Sequence, residues 1–147
     1  MAEYMLEKLI EKSAELNEEN WEILSAGISA IRGNQINDKA KSVMAELNLD
    51  LSKHDSQNID DLELRKKDLI ITMTSKHSRA LILKHPDLAD KIFILKEFSE
   101  KEAEDSKDIE DPFGLSEDFY RKTRDEIREN LKAMLDKLIE FDFKEED

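Results

Sequence analysis

The sequence predicts an α/β fold, a three-layer αβα arrangement around a small parallel sheet. Three observations support this. Leu69–Thr74 (LIITMT) and Lys91–Leu95 (KIFIL) are short apolar runs of the composition expected in strands covered on both faces. Stretches with helical apolar spacing lie between and around them. The two kinds alternate, which implies parallel strands joined by right-handed crossovers. At 147 residues the chain fits a single domain, residues 1–147, long enough to bury a real core.

The elements follow in order. Met1–Leu16 repeats apolar residues at Met5, Leu6, Leu9 and Ile10, one face of a helix without a visible cap. Trp21–Gly27 (WEILSAG) reads as a short strand. Ile36–Leu47 returns to helical spacing through Ala40, Val43, Met44 and Leu47. After the Leu69–Thr74 strand, a helix is expected from Ser75 to about Lys84, stopped before Pro86. Ser99–Glu110 is acidic and aperiodic, which predicts a solvated loop. Ser116–Phe141 closes the fold as a long amphipathic helix, with Phe119, Tyr120, Ile127, Leu131, Met134, Leu135 and Leu138 inward and Lys144–Asp147 frayed beyond it.

Composition excludes several functions. A net charge of −13 argues against nucleic acid and anionic membrane partners, which need a basic face. No apolar run approaches the roughly 18 residues that span a bilayer. The N-terminus carries Glu3 and Glu7 where a signal peptide would be basic, so a cytoplasmic protein is expected. Without cysteine there are no disulfides, no thiolate metal sites and no thiol nucleophile in these residues. His54, His77 and His85 lack ligand spacing and read as ordinary surface or loop histidines. Neither a metal nor a cofactor is expected.

The sharpest chemical signal is Asp111-Pro112-Phe113-Gly114. Proline fixes its own φ and pushes the residue before it out of the α region, so the backbone aims Asp111. A turn followed by an N-cap at Ser116 accounts for the same residues. In a parallel sheet, ligands bind at the carboxyl ends of the strands. That edge gathers the Ser25–Ala30 loop, the Thr72-Met73-Thr74 strand end and the Asp111 loop. Small residues and hydroxyls facing an aimed acid suit a phosphate ester, although a nucleophile and an anion cradle are lacking.

The order of these blocks carries a resemblance. Ser25-Ala26-Gly27-Ile28-Ser29-Ala30, Asp50-Leu51-Ser52-Lys53-His54, Asp68-Leu69-Ile70-Ile71-Thr72-Met73-Thr74, Phe93-Ile94-Leu95-Lys96-Glu97-Phe98 and Asp111-Pro112-Phe113-Gly114 follow one another at characteristic spacing. Together, from Met1 to about Leu138, they resemble the low-molecular-weight protein tyrosine phosphatase family, in particular its bacterial arginine-phosphatase branch. The resemblance implies a four-stranded sheet and a cysteine nucleophile on a Cys-x5-Arg phosphate loop, followed by a Pro-Met-Ala-Glu-like stretch.

Met1-Ala2-Glu3 matches the end of that stretch, so the first, central strand and the phosphate loop are expected to have no counterpart in these residues. A misassigned start, a truncated gene or a fragment would account for this, as would a genuinely shortened protein. The omission is expected to leave strand edges with unpaired backbone, to uncover the apolar faces of the first and last helices, and to favour self-association.

By resemblance, Asp111 is the general acid and Ser25 the serine that shapes the phosphate loop. Phe113 is an aromatic wall of the substrate cleft. Ile31 falls near where tyrosine-specific members place an aromatic, which tilts the expected substrate from phosphotyrosine towards phosphoarginine. The expected function is therefore hydrolysis of phosphorylated protein or peptide through a cysteine that this chain lacks, leaving the chain inactive as written. The alternative is a catalytically dead module that binds phosphorylated partners. Arsenate reduction, the family's other chemistry, needs a relay of cysteines.

Overall fold

A computed structural model describes residues 1–27, 36–99 and 107–145, the last five by backbone alone. Strands β1 (Ile70–Thr72) and β2 (Ile92–Ile94) pair in parallel, with Ile70 opposite Ile92 and Ile71 opposite Phe93. Side chains alternate across a sheet, so each pair takes one face. Ile70 and Ile92 join Leu64, Leu88 and Leu81, the last from α3 (Ser75–Lys84). Ile71 and Phe93 pack on the main core. That core combines α1 (Ala2–Lys12), α2 (Asp38–Ala45), α4 (Leu95–Ser99) and α5 (Glu117–Glu145) through Met5, Met44, Leu95 and Leu131, among others. The layers are thus α3, sheet, and the other helices. This is the αβα arrangement expected, and burial on both faces explains the uniformly apolar strands.

Local chemistry sets the helix ends. The Asn37 side chain accepts from the Lys39 amide at 2.8 Å to start α2. Just past the end of α2, Asn48 takes φ +61°, a left-handed conformation that asparagine tolerates. Thr74 caps α3 by accepting from the His77 amide, and Pro86 prevents its continuation. Met1 gives α1 no side-chain cap, as expected. Arg124 joins α5 to α2 from a buried position, donating to the Val43 carbonyl at 2.7 Å and to Glu46 at 2.6 Å.

The structure corrects several expectations. The first helix ends at Lys12 rather than Leu16, although Leu16 is still buried in the main core. Leu95 opens helix α4 rather than ending the strand. Phe119 is 52% exposed because it lies beside the core-facing stripe of α5, which in the first turn runs through Tyr120, buried at 4%. Ile109 is buried at 2% exposure; its acidic neighbours masked one anchored apolar residue. The apolar faces of α1 and α5 are covered, since Met5, Ile10, Leu131 and Leu138 share one cluster.

Trp21–Gly27 is the main departure. It alternates half-buried and exposed residues as a strand would, but it forms no ladder. Among the described residues, only Gly27 of this segment pairs, in an isolated parallel bridge with Asn58. Among the described residues, the backbone of residues 22–26 makes no backbone hydrogen bond. Strands exist by pairing, and among the described residues β1 and β2 pair with each other alone. Residues 100–106 of the acidic loop, Ser29, Ala30, Ile31 and the final two residues lie outside the described residues.

Candidate functional site

The Asp111 loop is built from two interlocking turns and the bonds that anchor them. Asp111 Oδ1 accepts from the Phe113 amide at 3.0 Å, an Asx turn that fixes the carboxylate against its own backbone. The Leu115 amide donates to the Pro112 carbonyl at 2.9 Å, closing a second turn. Its third position, Gly114, takes φ +82°, the left-handed geometry that a type II turn requires there. Pro112 is buried beneath, while Asp111 is exposed and Phe113 is 74% exposed. One rigid turn therefore presents a carboxylate and an aromatic ring together.

Two anchors place this turn at the carboxyl end of β1. The Ile109 amide donates to the Met73 carbonyl at 2.8 Å, and Asp108 Oδ1 accepts from the Ser75 amide at 2.7 Å. From the other side, Lys39 Nζ donates to the Leu115 carbonyl at 2.6 Å and Ser42 bonds the Glu117 carboxylate. Tyr120 is buried in the first turns of α5. Burial, and then the negative charge of Asp111, pushes its phenol above the usual range, so it stays neutral.

Ser25 belongs to a separate cluster. Its hydroxyl donates to Glu3 Oε1 at 3.0 Å, and Glu3 Oε2 lies 3.6 Å from His54 Nδ1. The first contact is a hydrogen bond; the second is an ion-pair distance. Tyr4 meets the His54 ring edge-on, with centroids 5.4 Å apart. His54 is therefore half-buried in a network rather than an ordinary surface histidine. Among the described residues, no hydrogen bond joins Ser25 to Asp111.

Of the sequence-predicted residues, Asp111 and Phe113 come together, Ser25 lies in the Glu3 cluster, and Ile31 falls outside the described residues. Sequence reading missed Glu3, Asp108 and Tyr120. Asp108 was hidden in an acidic stretch that looked uniformly solvated. Tyr120 was read as core and is that, but it is also the buried neighbour of the Asp111 charge. No group of three metal-binding side chains occurs among the described residues, and no helix there is long and apolar enough to cross a membrane.

Chemically, the assembly offers an oriented acid, an exposed aromatic surface and a hydroxyl held by a carboxylate. Comparison with known proteins sharpens this. The family model described as low molecular weight phosphotyrosine protein phosphatase matches residues 1–143. A protein-arginine-phosphatase of Bacillus subtilis is 31% identical over 134 residues, covering 91% of this chain and 87% of its own. An arsenate reductase of Staphylococcus xylosus is 33% identical over 117 residues, covering 78% and 76%.

Among solved structures, a low molecular weight protein tyrosine phosphatase from T. tengcongensis superposes with a TM-score of 0.80 at 31% identity, covering 92% of this chain and 88% of that one. A YwlE arginine phosphatase, solved as a cysteine-to-serine mutant with a phosphorylated active-site serine, gives 0.80 at 28% identity, covering 93% and 85%.

Proposed function

Because the chain belongs to the low molecular weight phosphotyrosine protein phosphatase family, we propose that it is the single-domain body of a protein phosphatase acting on phosphoarginine in preference to phosphotyrosine. The orientation of Asp111 carries this reading. With Oδ1 held by the Phe113 amide, the second oxygen is left to deliver a proton to the leaving group and then to activate water. Phe113 lines the substrate cleft beside it, and Ser25 supports the phosphate loop. Ile31 replaces the aromatic that would furnish a phosphotyrosine slot. The substrates are phosphorylated proteins or peptides.

The nucleophile is a thiol, as the phosphorylated cysteine-to-serine variant of the YwlE relative suggests. These 147 residues contain no cysteine, so the reading includes that they are inactive alone. The same absence favours a second reading, a module that binds phosphorylated partners without hydrolysing them. The arsenate reductase relative does not displace either, because reduction needs thiols to supply the electrons.

The test compares the chain alone with the chain joined behind the cysteine-bearing N-terminal segment of the Bacillus relative. The joined form is expected to hydrolyse phosphoarginine peptides faster than phosphotyrosine peptides, and Asp111→Asn to slow it by about 10²-fold or more. Hydrolysis by the unjoined chain would overturn the inactive reading. An unaffected Asn variant would remove Asp111 from catalysis. Binding of phosphopeptides by the unjoined chain, with no activity in the joined form, would favour the second reading.

A further inference from the structure

We propose that the exposed face of α3 docks an acidic segment of another protein, one that carries an apolar side chain beside its carboxylates. At ~100° per residue, Lys76, Arg79, Ala80 and Leu83 form one stripe along this helix, opposite the buried Ser78 and Leu81. All four are exposed, and Leu83 reaches 84%, the highest value among the exposed large apolar side chains. No acidic residue occurs in α3, although the chain has 36 acidic against 23 basic residues.

The two cations of the stripe are unpaired. Among the described residues, neither the Lys76 amine nor the Arg79 guanidinium has an ion-pair or hydrogen-bond partner. Acids beside α3 are engaged elsewhere: Asp60 takes Lys84 Nζ at 2.5 Å, and Asp87 pairs with Arg65. Lys76 also stands in the first turn, where the helix dipole disfavours a cation. There the Ser75 and His77 amides are already bonded, to Asp108 and Thr74. An anion is therefore drawn by the two side chains rather than by the helix end.

The order of groups along the stripe defines the occupant. Lys76 to Leu83 spans about 10 Å at ~1.5 Å per residue. An extended segment covers that length in about three residues at ~3.3 Å each, so its carboxylates meet Lys76 and Arg79 while an apolar residue further along meets Leu83. A nucleic acid, an anionic membrane or a second copy would bring extended negative charge against a surface carrying −13, whereas a short acidic segment meets α3 alone. The helix begins at the end of β1 to which the Asp111 loop is fastened, so a protein docked here has a neighbouring part of its chain at that edge.

The experiment titrates the isotope-labelled 147-residue chain with a capped, unphosphorylated peptide of two glutamates, a spacer and a leucine, followed by NMR. Saturable shifts confined to α3 are expected, with affinity falling as salt rises. Lys76→Glu combined with Arg79→Glu should weaken binding by about tenfold or more, the milder glutamine pair by about threefold, and Leu83→Ser by about threefold. Thermal melts confirm that these exposed substitutions leave the fold intact. Unchanged affinity in the charge-reversed variant would overturn the proposal, as would equal binding of a peptide with glutamine in place of glutamate, or shifts that lie off α3. Equal shifts on adding phosphatidylglycerol vesicles, or self-association that the charge reversal abolishes, would overturn it by identifying a different occupant. The peptide carries no phosphate and no readout is enzymatic, so failure here leaves the phosphatase reading standing.

Discussion

The amide of Ile109 donates to the carbonyl oxygen of Met73 across 2.8 Å, and the approach to Asp111 is thereby fastened to the end of β1. The bond explains how an exposed carboxylate acquires a fixed position. Strand β1 is held between two cores, Ile109 is buried against the larger one, and two residues later the chain emerges at Asp111. The rigid part of the fold is transmitted to the loop through one buried side chain and its backbone.

Truncating that anchor should destabilise the whole domain. Ile109→Ala is expected to cost about 2–5 kcal/mol and Ile109→Val about 0.5–1.5 kcal/mol, the range for removing buried branched carbons. Urea denaturation measures both. A loss below about 0.5 kcal/mol for the alanine variant would show that the loop is held elsewhere.

Gly114 allows a cleaner test, because a Cβ there meets nothing within 4 Å while φ is +82°. Only backbone strain opposes substitution. Gly114→Ala is expected to cost about 1–2 kcal/mol, and Gly114→Asn less, since asparagine visits left-handed geometry more readily. If the two variants were equally stable, the turn would have relaxed to another geometry.

Acid should loosen the contact between α2 and α5. Hydrogen bonds from Arg121 and then Arg124 hold the Glu46 carboxyl at about 2, below its ordinary 4.5. A depressed acid stabilises the fold fully above its unfolded value, and the contribution is lost as pH falls from about 4.5 towards 2. Glu46 is partly exposed, so salt should weaken the effect. The stability difference between wild type and Glu46→Gln, followed by thermal melts across that window, is expected to shrink with falling pH. A constant difference would place the contribution in packing rather than charge.

Much of this was legible in the sequence, for identifiable reasons. The runs at Leu69–Thr74 and Lys91–Leu95 announce strands because both their faces are buried, and Thr74 followed by a periodic run announces α3. Asp111 was legible because proline and glycine constrain backbone directly. Trp21–Gly27 misled because its alternation records which side faces the core, whereas pairing depends on a neighbour that no local pattern encodes. Phe119 misled because two adjacent aromatics cannot share one helix face: Tyr120 takes the core side at 4% exposure and leaves Phe119 52% exposed. The partnership of Ser25 with Glu3 joins residues far apart in sequence, and composition offers no sign of it.

That partnership yields a prediction with two independent readouts. Glu3 accepts from the Ser25 hydroxyl at 3.0 Å and faces His54 at 3.6 Å, with its side chain only 11% exposed. Glu3→Ala leaves the Ser25 hydroxyl without its acceptor and should cost about 1–3 kcal/mol, whereas Glu3→Gln keeps an acceptor and should cost less. The charge is tested separately. Burial and then the Glu3 charge raise the Glu7 carboxyl; burial, then Glu3, and then Glu7, Asp50 and Asp55 raise the Tyr4 phenol. Removing a nearby negative charge makes ionisation of both groups easier, so Glu3→Gln should lower both pKa values while leaving each above its ordinary value through burial. An NMR titration of the wild type and this variant reads the shifts directly. Unchanged values for Glu7 and Tyr4, together with a stability loss, would mean that Glu3 acts only through its hydrogen bond to Ser25.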